Sequence, residues 1–292
     1  MINVALIGNG YWGKNYNKTL QNIENINVNT YTHNYKDALN NKSIDCVIIA
    51  TPVETHYQII KDSLIAKKHV LVEKPFITDS KNTVELKKLA FDNSLILQVG
   101  HIYLYHEGIL QLKKLVDEGS LGEIKSVYSK RMSTYNKYPN ALWEMGSHDL
   151  YILDYLFDKY VAKEKQIMGD ITHCIFNMEY SKILYEPYIR NHVINAYVEV
   201  CSYYPGKIRE IIINGTKKRV MFKNDEEIVI TELETNKSNF LIYNDDKSRI
   251  ITPLEKQCTE FFDNFKNFAK PKSGIFEGFK NIVYLELLNK ML

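Results

Sequence analysis

Residues 2–13 have the sequence INVALIGNGYWG, in which an apolar run leads directly into three glycines. The apolar run predicts a buried strand, and the residues after the glycines predict a helix. In such a turn Gly8 permits the tight bend, Gly10 lets a pyrophosphate approach the main chain, and Gly13 lets helix and strand pack closely. Amides at the helix N-terminus then favour phosphate oxygens. The stretch predicts a dinucleotide site; the alternative is a strand-to-helix turn whose glycines are incidental.

Strands and helices alternate through the first third of the chain. Short apolar runs at 46–50, 69–72 and 95–99 are separated by stretches of helical periodicity. Continuous apolar runs between helices are typical of parallel strands that are buried on both faces. The pattern predicts a doubly wound α/β Rossmann domain over residues 1–121.

The pattern then changes to successive strands. Residues 123–132 predict a long strand. Later strand-like stretches at 193–202, 207–214, 219–223, 227–233 and 239–243 are joined by short turns. Strands joined in this way form antiparallel sheets. Two helices are predicted near 255–268 and 276–292. We therefore expect an α+β domain over residues 122–292, with a large, mainly antiparallel sheet and C-terminal helices, that binds substrate and forms oligomers.

The composition argues against several classes of function. The net charge is +2, from 37 basic and 35 acidic residues mixed along the chain, so no concentrated basic face is expected for nucleic acid. No apolar run is long enough to cross a bilayer and no signal-like segment precedes the first strand, so we expect a cytoplasmic protein that does not bind membranes. The four cysteines are far apart, and we expect them to be reduced and no metal to be bound.

One expected feature of a dinucleotide site is missing. An Asp or Glu that binds the ribose hydroxyls usually lies about 20 residues beyond the glycines. Here the second strand is predicted at 27–32, and the ribose position falls on His33 and Asn34, which carry no carboxylate. Residues 34–43 also leave little room for the usual crossover helix. We assign His33 to the ribose side of the site, and the missing carboxylate is the main objection to the cofactor interpretation.

Polar residues follow the third and fourth predicted strands. Thr51 and Pro52 end one run, with His56 four residues after the proline, and Glu73 and Lys74 end the next. In an open α/β sheet, ligands bind beyond the carboxyl ends of the strands, so these segments would line the crevice. Each signal is weak alone, because a helix-starting proline and a surface Glu-Lys pair are both common.

A histidine lies among acidic residues near the start of a predicted helix. Residues 143–149 read WEMGSHD, so that Glu144 precedes His148 by four positions. Imidazole titrates near neutrality and can act as a general acid or base. The alternative is a helix N-terminus capped by Ser147 or Asp149. The other histidines that we considered are expected to be structural or exposed: His101, His106, His173 and His192.

Taken together, these motifs resemble the glucose–fructose oxidoreductase/inositol dehydrogenase (Gfo/Idh/MocA) family, and their order along almost the whole chain carries the resemblance. The resemblance implies a pyrophosphate turn and a cofactor groove formed by Gly8, Gly10, Tyr11, Trp12, Gly13, Thr51, Pro52 and His56. It places Glu73 and Lys74 beside the nicotinamide, with Lys74 also touching the reacting hydroxyl. His148 matches the acid/base histidine of the family, and Glu144 stands where the family usually has Asp. The implied cofactor is NAD, and NADP is not excluded.

Within the family, the segment 10–15, the pair Gly100-His101 and Trp143 resemble a bacterial branch that acts on UDP-linked N-acetylated sugars. That branch oxidises the sugar C3 hydroxyl, and related members reduce a 3-ketone. The resemblance therefore implies a nucleotide-sugar oxidoreductase of bacterial surface-sugar biosynthesis, which we expect to be a dimer or tetramer formed through the C-terminal sheet. We assign Arg131 to the substrate diphosphate, because guanidinium suits phosphate oxygens, with a surface salt bridge as an equal alternative. Tyr135 and Tyr138 follow it and could stack on or hydrogen-bond the sugar, with simple packing as the alternative for so frequent a residue type.

The sequence leaves three questions open. His148 could take the hydroxyl proton while a charged Lys74 stabilises the alkoxide, or Lys74 could carry the proton itself. A non-catalytic or regulatory paralogue that only binds cofactor is the first alternative to an enzyme. A free-sugar or inositol dehydrogenase, which would share the site but lack a uridine pocket, is the second.

Overall fold

The computed structural model describes residues 1–134, 140–181, 192–241 and 251–292. The strands are β1 (Ile2–Ile7), β2 (Ile26–Tyr31), β3 (Cys46–Ile49), β4 (His69–Val72), β5 (Leu97–Val99), β6 (Ile124–Thr134), β7 (Val161–Gly169), β8 (His173–Ser181), β9 (Val193–Cys201), β10 (Tyr203–Gly215), β11 (Lys218–Lys223), β12 (Glu227–Glu232) and β13 (Ser238–Leu241). The helices are α1 (Tyr11–Leu20), α2 (Tyr35–Asn40), α3 (His56–Ile65), α4 (Thr83–Asp92), α5 (Glu107–Asp117), α6 (Ser147–Leu156), α7 (Pro253–Asn267) and α8 (Ile275–Met291).

The chain folds into two compact units, of which the first comprises residues 1–105 and 251–283. Its sheet has five parallel strands in the order β2-β1-β3-β4-β5. Ile7 is level with Ile49, Ile49 with Val72, and Val72 with Val99, so four strands end at one edge. The predicted α/β Rossmann class is confirmed. The ends of these strands are where the fold places ligands.

Helix α7 belongs to this first unit, although we predicted it in the C-terminal domain. Its apolar stripe of Leu254, Cys258, Phe261 and Phe262 is buried in one cluster with residues of β1, β3 and α1. A helix with such a stripe must bury it, and the stripe covers one face of the parallel sheet. Sequence position alone does not reveal which sheet a helix covers.

The second unit comprises residues 106–250 and 284–292, of which the described part contains an eight-stranded sheet. Its strand order is β13-β12-β11-β10-β6-β9-β8-β7, and its neighbours are antiparallel except β6 and β9. The predicted mainly antiparallel sheet is therefore confirmed. The unit begins before the predicted boundary at residue 121, because α5 packs here: a side chain at Gly108 would overlap the ring of Phe222.

Inward and outward residues alternate along the central strands of this sheet. Val127, Ala196 and Val198 face inward and are buried, whereas Tyr128 and Tyr197 face outward and are exposed. Among the described residues, no helix combines the length and the apolar character needed to cross a bilayer.

Candidate active site

The turn between β1 and α1 requires its glycines, for three different reasons. Gly8 has φ of +103°, and a Cβ there would lie 2.5 Å from the carbonyl oxygen of Ala50. A Cβ on Gly13 would overlap the carbonyl oxygen of Gly8, so this glycine lets helix and strand approach. Around a Cβ on Gly10, in contrast, no atom lies within 4 Å. Open space at the second glycine, beside a helix N-terminus without acidic residues in its first turn, fits a pyrophosphate.

The two aromatic residues after this turn differ in exposure. Tyr11, the first residue of α1, is exposed, and Trp12 is half-buried, with their rings edge-to-face at 5.6 Å between centroids. The ring of Tyr11 is therefore available to a ligand of the glycine turn, whereas part of the Trp12 side chain is packed against protein.

The segment after β2 has the shortened crossover that the sequence predicted. Helix α2 has only six residues, and His33 lies exposed between β2 and this helix. The nearest acidic side chain, Asp37, accepts a hydrogen bond from Asn34 Nδ2 at 2.8 Å. No carboxylate occupies the ribose position itself, and Lys36 is exposed close by in sequence.

His56 is buried and binds protein groups with both ring nitrogens. Nδ1 lies 3.0 Å from the carbonyl oxygen of Pro75 and 3.2 Å from that of Phe76, and Nε2 lies 2.9 Å from the carbonyl oxygen of Thr51. Burial lowers the pKa of His56. His56 therefore ties the end of β3 to the segment after β4, so its polar atoms serve the fold and not a ligand as we had expected. Pro52 precedes a short 3₁₀ turn that leads into α3.

Glu73 and Lys74 follow β4 at the same edge of the sheet as the glycine turn. Glu73 is only 7% exposed, and its Oε1 accepts a hydrogen bond from Tyr16 Oη at 2.8 Å. Its Oε2 accepts from the main-chain N–H of Lys74 at 3.1 Å. Lys74 is half-buried. Burial, and then the charge of Lys74, lower the pKa of the nearby His101 to about 3, so this histidine is neutral.

In the second unit, Glu144 and His148 lie on consecutive helical segments. Glu144 belongs to a π-helical turn, Leu142–Gly146, that leads directly into α6, and both side chains are half-buried. The Nδ1 atom of His148 lies 2.8 Å from Tyr151 Oη. Such a bond fixes the orientation of the ring, as an acid/base histidine requires. π-Helical turns are frequent at functional sites.

Arg131 is not available in the way that we predicted. Its side chain is buried: Nε donates to Asp149 Oδ2 at 2.8 Å and Nη2 to Asp149 Oδ1 at 3.3 Å. Ser129 Oγ also donates to Asp149 Oδ1, at 2.7 Å. The ion pair neutralises the guanidinium inside the unit, so a diphosphate would have to compete with Asp149 for it. Asp149 is thus a partner of Arg131 and not a helix cap. Tyr135 and Tyr138 lie outside the described residues.

The sequence did not indicate three residues that support the site: Tyr16, Tyr151 and Gln257. Tyr151 follows His148 by three positions on one helix, a spacing that brings side chains together and could have identified it. Tyr16 is 57 residues from Glu73 along the chain, so no local pattern connects them. Within the described part of the chain, no cluster of three or more His, Cys, Asp or Glu side chains could hold a metal ion.

The fold and the glycine turn define the class of protein: an oxidoreductase-type chain with an NAD-binding Rossmann unit and a second unit built on a large sheet. Residues 16–101 match the sequence model of the oxidoreductase family with an NAD-binding Rossmann fold, Gfo/Idh/MocA. This match lies within the first unit and identifies it as an NAD-binding Rossmann unit of the kind found in this family.

Known proteins similar to the chain differ in their activities. The 2,7-anhydro-N-acetylneuraminate hydratase of Escherichia coli K12 is 28% identical over 59% of this chain, and the match spans 54% of that protein. Inositol 2-dehydrogenase of Salmonella typhimurium LT2 is 23% identical over 83% of this chain and 72% of that protein. The solved UDP-N-acetylglucosamine 3-dehydrogenase of Acidithiobacillus ferrooxidans superposes with a TM-score of 0.81 at 16% identity, covering 100% of this chain and 97% of that one. At this identity the superposition shows a shared fold.

Proposed function

We propose that the protein is an NAD(P)-dependent dehydrogenase or ketoreductase that transfers a hydride between the nicotinamide and a secondary alcohol carbon of a nucleotide-linked sugar. One observation carries the proposal. Lys74 follows β4 at the same sheet edge as the open glycine turn after β1, where a dinucleotide binds in this fold. A lysine there is well placed to hold the oxygen that changes between hydroxyl and ketone.

NAD supplies the hydride chemistry when it is bound, and the protein supplies placement and proton handling. The glycine turn and the first amides of α1 would hold the pyrophosphate. The ammonium of Lys74 would donate a hydrogen bond to the reacting oxygen and stabilise developing negative charge. His148, oriented by Tyr151 at Nδ1, would accept the hydroxyl proton on Nε2. In the reverse assignment, Lys74 carries the proton and His148 orients the hydroxyl.

The substrate we propose is a UDP-linked N-acetylated sugar that reacts at C3, in bacterial surface-sugar biosynthesis. The motifs at 10–15, Gly100-His101 and Trp143 support it, as does the shared fold with a UDP-N-acetylglucosamine 3-dehydrogenase. A polyol dehydrogenase is the second candidate, and two observations favour it. Arg131, our diphosphate ligand, is paired with Asp149, and an inositol 2-dehydrogenase aligns with most of the chain.

Purified protein distinguishes these functions. UDP-N-acetylglucosamine, its uronic acid, a dTDP-sugar, glucose and myo-inositol are each offered with NAD and with NADP, and the absorbance of reduced nicotinamide is followed. Saturation-transfer NMR on the same ligands measures binding without turnover, and a Lys74→Met variant serves as the control that binds but does not react. Turnover confined to UDP-sugars supports the proposal. Turnover of inositol without a response to any nucleotide sugar assigns the polyol activity, and NAD binding without turnover of any alcohol assigns the non-catalytic paralogue.

We also propose that two copies of the chain associate through the outer face of the eight-stranded sheet. Tyr128 and Tyr197 stack there at 5.2 Å between ring centroids while remaining 45% and 39% exposed, and Ile175 is exposed on the same face. Exposed apolar groups that share one face of a sheet can mark an interaction surface. Light scattering on the purified chain and on a Tyr197→Glu variant measures the mass; a monomeric mass for the unmodified chain at micromolar concentration contradicts the proposal.

A further inference from the structure

A buried chain of hydrogen bonds connects α7, α1 and the main chain at Lys74. Gln257 Nε2 donates to Tyr16 Oη at 3.0 Å, and Tyr16 Oη donates to Glu73 Oε1 at 2.8 Å. The N–H of Lys74 donates to the other carboxylate oxygen, Oε2, at 3.1 Å. Gln257 and Tyr16 are fully buried. The chain thus ends on the residue that we propose to act at the reacting oxygen.

The directions of these bonds follow from the groups involved. Burial, followed by the charge of Glu73, raises the pKa of Tyr16 well above its usual value, so the hydroxyl keeps its proton. The Tyr16 hydroxyl donates this proton to Glu73, and its oxygen accepts from the side-chain amide of Gln257, whose N–H can only donate. Gly100 packs against the carboxylate as well, since a Cβ there would lie 3.2 Å from Oε1. These contacts hold the carboxylate of Glu73 in one position.

Attachment of α7 does not require this network. The helix is already anchored by apolar side chains such as Leu254, Phe261 and Phe262 in the core cluster. Burying a carboxylate costs several kcal/mol, and well-packed apolar residues would stabilise the same contact at least as well. The main-chain N–H of Lys74 donates to the Glu73 carboxylate. The network therefore fixes the main chain from which the Lys74 side chain projects.

We propose that Tyr16 is a positioning residue for Lys74: it acts through Glu73, and Gln257 orients its hydroxyl. This inference rests on the proposed function of Lys74. Displacement of a reacting group by about 1 Å can cost about 10²-fold in rate. For loss of one bond in the network, we expect Tyr16→Phe to lower kcat about 10-fold and to leave the KM for NAD within about 2-fold.

The same unit offers a matched control in Tyr105. Its hydroxyl accepts from Gln98 Nε2 at 3.1 Å and donates to Glu260 Oε1, on α7, also at 3.1 Å. Tyr105→Phe therefore removes a similar buried hydroxyl next to the same helix, at a similar cost of about 1–3 kcal/mol, without touching Glu73. A role confined to fold stability predicts the same behaviour of both variants.

The first measurement needs no substrate: hydrogen exchange of the Lys74 amide, followed by NMR. Tyr16→Phe is expected to speed this exchange about 10-fold relative to Leu71 in β4, and Tyr105→Phe to leave the ratio unchanged. Should Tyr16→Phe not fold, Gln257→Leu replaces it and is expected to speed the exchange about 3-fold. An unchanged ratio in the folded variant, or the same change in Tyr105→Phe, overturns the inference whether or not the protein turns over a sugar.

The second measurement is turnover in a double-mutant cycle with Glu73→Gln. If Tyr16 acts through Glu73, Tyr16→Phe lowers kcat about 10-fold in the unmodified enzyme but no more than about 2-fold in the Glu73→Gln background. Additive losses, or a loss that Tyr105→Phe reproduces, show that Tyr16 contributes stability alone. Absence of turnover in the unmodified enzyme contradicts the proposed function and leaves the exchange measurement to decide the positioning.

Discussion

His101 makes the stability of the first unit depend on pH. It lies two residues after β5, is buried, and its Nδ1 is 2.7 Å from Ser273 Oγ. Burial, and then the charge of Lys74, lower its pKa to about 3 from an ordinary value of 6.5. Between these two values the unfolded chain binds a proton that the folded chain excludes. The free energy of unfolding therefore falls as the pH is lowered through this window.

The size of the effect follows from the two pKa values. Proton uptake by the unfolded chain at His101 destabilises the fold by about 0.2 kcal/mol at pH 7 and by about 2.1 kcal/mol at pH 5. His101→Asn keeps a polar group near the Nδ1 position but does not titrate. Between pH 7 and pH 5, the free energy of unfolding of the wild-type chain should therefore fall by about 2 kcal/mol more than that of this variant. Burial also lowers the pKa of His56 and of His69, but both remain in the variant, so their contributions cancel.

Urea unfolding measures the difference, and the two tryptophans allow each unit to be followed separately. Trp12 lies in the first unit and Trp143 in the second, so a Trp143→Phe background reports the first unit alone. Ser273→Ala is the control. It removes a hydrogen-bond partner of His101 and lowers the free energy of unfolding at both pH values. Because the titrating ring remains, the slope of the free energy of unfolding against pH stays the same. Parallel pH profiles for wild type and His101→Asn would refute the reasoning.

Three further predictions concern the site. Lys74→Ala and His148→Asn should each lower kcat about 10²-fold without unfolding the protein, because each removes a positioned charge or acid/base; full turnover by either variant, with a verified substrate, removes that residue from the mechanism. Binding should discriminate weakly between NAD and NADP, because no carboxylate at the ribose position repels a 2′-phosphate and Lys36 favours it; calorimetric titration of both cofactors measures this, and a large preference contradicts it. Arg131→Ala should destabilise the second unit by about 3–5 kcal/mol, because it leaves Asp149 buried and unpaired; urea unfolding followed at Trp143 checks it, and a change below about 1 kcal/mol shows that the pair is not structural.

The fold of the first unit could be predicted because its signals are local. Each central strand is an apolar run. The turn after β1 needs glycine for its backbone angles and its close packing, and the spacing of the glycines shows this need in the sequence. Strands β9 to β12 were predicted to within a few residues for a similar reason, since turn residues separate them. Strands β7 and β8 were missed. Residues 161–169 read VAKEKQIMG and mostly face solvent, so their period-two pattern is weak.

The side-chain partners within the site could not be predicted in this way. Asp149 stands where a helix cap is expected, and only the sheet brings Arg131 and Ser129 against it. His101 carried no signal beyond its place in a motif, and its pKa is lowered by burial and then by the charge of Lys74, which is far away in sequence. Contacts of this kind depend on tertiary packing, which a single sequence does not specify locally.

The buried polar groups bear on the choice between an enzyme and a paralogue that only binds cofactor. A binding protein needs the glycine turn and the helix N-terminus, and neither requires a buried carboxylate at the end of β4. Glu73 is nevertheless ionisable, almost fully buried and bonded at both oxygens, one of them to the amide of Lys74. In the second unit, His148 likewise has one ring nitrogen bonded to Tyr151. Proteins tolerate such costs at sites where a reacting group must be held in one geometry, and selection for binding alone gives no reason to hold the main chain at Lys74 and the imidazole of His148 so firmly.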